Sequence, residues 1–152
     1  MKKQHALIWA AWLTQGVAWF VPVIGEGTSL PNGVPGWQAF RVAFCAVWPY
    51  GDAQFEHWYN AVLATMSAVT APLFIIGSVW AVWFGSRTVR RVSAWISAGA
   101  FVINAQWLVL VVGFGPNPND LKIGYFLWWF SFLLLAWGLF VLSGSRLPDG
   151  SQ

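Results

Sequence analysis

The sequence predicts an all-α membrane protein: a four-transmembrane-helix bundle with an extracytoplasmic loop that carries a short interfacial helix. Three observations predict it. The composition is 58% apolar and only 9% charged, against about 25% charged in an ordinary soluble domain, and the mean hydropathy is +0.59. The apolar residues gather into four runs, each near the roughly 20 residues that a helix needs to cross a bilayer. Between the second and third runs stand Arg87, Arg90 and Arg91, packed within residues 85–93. Such cations in a short loop stay on the cytoplasmic side, so this hairpin orients the rest of the chain.

Taken in order, residues 6–24 form the first span, preceded by Lys2 and Lys3. A removable signal peptide is the poorer reading: no small-x-small cleavage site follows, and Trp9, Trp12 and Trp19 suit a permanent span. Residues 25–58 form an outer loop punctuated by Pro and Gly. Within it, Trp37, Phe40, Phe44 and Trp48 recur at helical spacing after Pro35, which predicts an interfacial helix over 36–48, too short to span. Residues 59–84 cross inward, 94–114 cross outward, 115–120 turn, and 126–143 cross back, making residues 1–152 one integral membrane domain. Both termini are then cytoplasmic.

The charges agree with this path. Lys2, Lys3, Arg87, Arg90, Arg91 and Arg146 fall inside, whereas Arg41 and Lys122 fall outside. Four acids, Glu26, Asp52, Glu56 and Asp120, also fall outside. The net charge of +3 is therefore topological, and a nucleic-acid partner is not expected. Tryptophans sort into two belts, as amphipathic indoles do at both membrane surfaces.

Little here suggests catalysis. No ionisable residue lies within the four runs, which argues against an ion-coupled pump. His5 and His57 lie about one membrane thickness apart, too far to share a haem or a metal. Cys45 is the single cysteine, so no intramolecular disulfide or Cys-x-x-Cys site can form. Asp52, Glu56 and His57 read as a polar cap on the second span rather than an acid–base site. Neither an enzyme, a cofactor nor a metal is expected.

The informative polar residues are uncharged. Gln15, Thr70, Asn104 and Gln106 fall near the middle of their spans and predict a polar layer at the bilayer midplane. Pro72 frees the carbonyl of Ala68, which in lipid needs a donor; the amide of Asn104 or Gln106 would supply it and bind the second span to the third. Ala64, Ala68 and Ala71, facing Ser97, Ala98 and Ala100, would let these helices approach closely. The same layer could alternatively line a solute path.

Three short motifs lie toward the outer face: Pro35-Gly36-Trp37, Trp58-Tyr59-Asn60-Ala61 and Gly124-Tyr125-Phe126-Leu127-Trp128. The pattern resembles a group of small, uncharacterised four-span bacterial membrane proteins. That resemblance implies the fold and a bacterial inner membrane, and it implies no activity. Trp37, Trp58, Asn60, Tyr125 and Trp128 would meet as an aromatic cap holding one amide. The expected function is that of a small non-catalytic accessory or interaction subunit, binding membrane lipid, a membrane protein partner or a second copy of itself. A small channel or facilitator and a membrane-embedded defence or immunity protein are the alternatives.

Overall fold

The computed structural model describes residues 2–25, 33–45, 47–48, 58–114 and 121–144. Glu26, Asp52, Glu56, His57, Asp120, Arg146 and the turn at 115–120 lie outside the described residues. The elements in order are α1 (Lys2–Phe20), β1 (Pro22–Ile24), β2 (Val34–Pro35), α2 (Gly36–Ala43), α3 (Trp58–Trp83), α4 (Arg87–Asn104), α5 (Gln106–Phe114) and α6 (Ile123–Gly144).

Three helical stretches are long and apolar enough to cross a membrane: Trp58–Trp83, Arg87–Val111 and Ile123–Gly144. The sequence predicts a fourth over 6–24, and here the structure differs. The helix stops at Phe20, because Val21 precedes Pro22 and the proline ring disfavours a helical backbone just before it. Pro22–Ile24 is extended instead. Lys2, Lys3, Gln4, His5 and Gln15 also dilute the apolar content of α1.

Two further boundaries move for readable reasons. The arginine segment is not a loop: α4 begins at Arg87, with Ser86 Oγ accepting the Val89 backbone N–H at 3.3 Å as an N-cap. The connection shrinks to Phe84, Gly85 and Ser86. Arg87 and Arg91 are exposed, while Arg90 Nε donates to the Ala81 carbonyl near the end of α3 at 3.2 Å. The third span is broken at Ala105, which separates α4 from α5. The interfacial helix predicted over 36–48 is shorter, ending at Ala43.

A small sheet was not predicted, and it qualifies the all-α reading. β1 pairs antiparallel with β2 on one edge and bridges Leu121 on the other, where the Lys122 N–H donates to the Val23 carbonyl at 3.0 Å. Both edges of this short strand are thereby occupied. The sheet ties the end of α1 to the start of α6.

The bundle runs α1–α6–α4–α3 by contact. Ile8 lies against Gly138, Gln15 against Ser131, and Val21 and Pro22 against Gly124, so α1 and α6 are antiparallel. At 1.5 Å per residue the seam is about 20 Å long. Small residues make it close: a Cβ at Gly124 would fall 2.5 Å from the Pro22 carbonyl oxygen. On the other flank of α6, Phe101 stacks on Trp129 at 4.6 Å and Trp95 meets Phe140 edge-on. The core beneath is built from Ile8, Phe74, Phe132, Leu135, Leu139 and Leu142 with interspersed alanines.

Candidate functional site

The helices pack unevenly toward the end that carries the sheet. There α3 presents Ala64, Ser67, Ala68 and Ala71, and these side chains are too short to reach α1 and α6. The gap is a partly open cavity of about 540 Å³. Ala18 and Trp19 of α1, Trp107 and Val111 of α5, and Tyr125 and Trp128 of α6 form its walls. Phe40 and its neighbours on α2, with β1 and Leu121, cover it. Ala64, Ala68 and Ala71, expected to let the second span approach the third, also leave a space on the side toward α1 and α6.

The chemistry of the lining is decided by what its few polar groups already do. Ser67 Oγ accepts from Trp107 Nε1 at 2.8 Å and from Gln106 Nε2 at 3.3 Å. The Tyr125 hydroxyl donates to the Asn104 carbonyl at 2.7 Å. Most of what remains to face a ligand is hydrocarbon and aromatic ring. An enclosed void of 540 Å³ would cost on the order of 10 kcal/mol at about 24 cal/mol per Å³. The opening on one side makes that a ceiling, and hydrocarbon filling would remove the cost.

The residues of the predicted midplane layer are bonded separately rather than as one network. Gln15 Oε1 accepts from Ser131 Oγ at 2.5 Å, a bond between α1 and α6. Asn104 Nδ2 donates to Thr70 Oγ1 at 3.0 Å and to the Ala100 carbonyl at 2.8 Å. Gln106 Nε2 donates to the Leu63 carbonyl at 3.1 Å. The amides of Asn104 and Gln106 do bind α3 to the following helices, but their acceptors are Thr70, Leu63 and Ser67 rather than the Ala68 carbonyl. Gln15 Nε2 and Asn104 Oδ1 are buried without a partner among the described residues. Interhelical bonds in membranes average about 0.6 kcal/mol in double-mutant cycles. We therefore expect Asn104→Leu with Thr70→Val to give a coupling energy of about 0.5–1 kcal/mol in detergent unfolding. A coupling of zero would mean the pair does not bridge the helices.

Of the predicted aromatic cap, Tyr125 and Trp128 line the cavity. Trp37, Trp58 and Asn60 do not: Trp37 and Trp58 are 40% and 78% exposed, and Asn60 is half-buried. Sequence reasoning missed Ser67, Trp107 and Ser131, although Trp107 follows Gln106 directly and Ser67 lies one turn from Thr70. Among the described residues no three His, Cys, Asp or Glu side chains gather.

No family model, curated protein or solved structure matches the chain.

Proposed function

We propose that this chain is a small, non-catalytic accessory or interaction protein of the bacterial inner membrane, binding a membrane lipid or a membrane partner at its aromatic cavity. The observation that carries the reading is the lining itself: a largely apolar space between helices in which Ser67, Trp107 and Tyr125 are bonded within the protein. Such a space suits a ligand recognised by shape and apolar contact. A solute path finds less support, because Phe74 and Phe132 meet edge-to-face at 5.3 Å in the core one turn inward of the lining residues Ala71 and Trp128.

The proposal includes four spans with both termini cytoplasmic. Its support is the seam between α1 and α6: a helix antiparallel to α6 over about 20 Å shares most of its depth in a bilayer. Arg87 and Arg91, exposed at the α3–α4 hairpin, supply the inner charge. A reporter fused at Gly85 or after Gln152 should be active only in the cytosol, and one inserted after Trp48 only outside. The opposite pattern would reverse every assignment of face.

The binding reading is tested by purifying the protein from native membranes in mild detergent and identifying what accompanies it. A lipid or a partner polypeptide in near-stoichiometric amount is expected. A protein that emerges alone in every detergent would overturn the proposal.

A further inference from the structure

We propose that the cavity holds the ring of a membrane quinone, whose carbonyl oxygens accept from the indole N–H groups of Trp19 and Trp128. The inference rests on the binding reading above and names the occupant. Three observations lead to it.

The first is a pair of donors without acceptors. Other indoles in the bundle are bonded: Trp12 Nε1 donates to Ser78 Oγ, Trp107 Nε1 to Ser67 Oγ and Trp129 Nε1 to the Phe101 carbonyl. Trp19 and Trp128 both line the cavity, and among the described residues neither indole N–H has an acceptor. Their nitrogens are not sealed in the core as Gln15 Nε2 and Asn104 Oδ1 are, so a small molecule can reach them. An N–H group left unmet in apolar surroundings is costly, and a carbonyl oxygen on the occupant removes that cost.

The second is register. Along the antiparallel seam Gln15 lies against Ser131 and Pro22 against Gly124. Trp19 stands midway between Gln15 and Pro22 and is therefore level with Leu127 and Trp128, to within about one residue's rise of 1.5 Å. The two donors belong to adjacent walls at one depth, a placement that suits one head group with more than one oxygen.

The third is the character of the walls. Trp19 packs on Phe40 at 5.3 Å, and Trp128 on Tyr125 at 6.3 Å. Aromatic walls favour a planar ring, which meets them by stacked or edge-on contact. None of the lining side chains is Asp, Glu, Lys, Arg or His, so the polar part of the occupant is uncharged. A carboxylate or phosphodiester would lose its hydration there without gaining a counter-charge. A quinone joins neutral carbonyls to a flat apolar ring, and its isoprenoid tail leaves through the open side into the bilayer. About 540 Å³ is ordinary for a site that takes a ligand of this size. The carbonyls are recognised here, and no electron transfer enters the proposal.

The test is equilibrium binding to the full chain in lipid nanodiscs with two probes: a short-tailed benzoquinone, and an alkylbenzene of equal size that lacks the oxygens. Wild type is expected to prefer the quinone by roughly tenfold or more, at about fivefold for each hydrogen bond. Trp19→Phe with Trp128→Phe keeps both rings and removes both donors; it should erase the preference and leave alkylbenzene binding in place. Trp19→Phe alone should cost about fivefold in quinone affinity and decides the matter if the double variant folds poorly. Ala68→Phe, which fills the cavity from α3, should abolish binding of both probes. Equal affinity of wild type for the two probes would overturn the inference, as would a preference that survives in a double variant that melts like wild type. Phospholipid as the sole adduct extracted from native membranes, absent from the Ala68→Phe variant, would also overturn it, although the broader binding reading would then survive. A chain that binds neither probe and carries neither lipid nor partner would sink both.

Discussion

Gly124→Val is expected to unseat α1 from α6 and to cost about 3 kcal/mol or more, the upper range for overpacking a close contact. A Cβ at this position would meet the Pro22 carbonyl oxygen at 2.5 Å, the Val21 carbonyl oxygen at 2.8 Å and the Pro22 carbonyl carbon at 2.9 Å. All three are backbone atoms, so no rotamer change relieves the collision. The backbone cannot drift away either, since β1 is held by β2 on one side and by Leu121 on the other. The thermal midpoint in detergent should fall by about 10 °C. Gly16→Ala is the matched control on α1: nothing lies within 4 Å of its added Cβ, so it should be neutral or stabilising by up to about 1 kcal/mol. Equal melting of the valine variant and wild type would mean that the seam is not where it is drawn.

Phe132→Ala should be the other severe change. The ring is 1% exposed and meets Phe74 at 5.3 Å and Trp128 at 5.6 Å, both edge-to-face. In a soluble core such a truncation costs roughly 3–5 kcal/mol. Lipid is as apolar as the bundle interior, so part of the transfer energy is absent and the cavity and lost dispersion remain. A loss of about 3 kcal/mol is therefore expected. Phe132→Leu should recover much of it. The alanine variant would also deepen the cavity, and adding a longer-chain lipid should raise its melting temperature more than that of wild type. Insensitivity to both substitutions would show that this ring does not close the space.

How far the sequence could be read depends on which physical signal each feature leaves. Apolar runs mark helices directly, and the span predicted over 59–84 lies within one residue of α3 at each end. Partnership between helices leaves no such mark. Nothing in the spacing of Gln15 and Ser131 says that they meet across 116 residues. By charge alone Arg87, Arg90 and Arg91 read as a loop, whereas Ser86 before Arg87 is an ordinary N-cap signal and the helix starts there. Ile24 and Leu121 form a strand bridge that has no periodicity to betray it. In the site, Tyr125 and Trp128 were legible as interfacial aromatics. The space itself was not, since Ala64, Ala68 and Ala71 are equally compatible with close packing and with a void; only the length of what stands opposite decides.

The order of synthesis adds a consequence to the α1–α6 seam. Of the described helices, α1 is synthesised well before α6, its principal neighbour, so the Gln15 amide stays unmet by Ser131 until the segment from Ile123 onward has emerged. A nascent intermediate that exposes such an amide is a natural target for membrane proteases. Chains stalled before Ile123 should accordingly be short-lived in the cell, and a separately supplied copy of α6 should extend their lifetime.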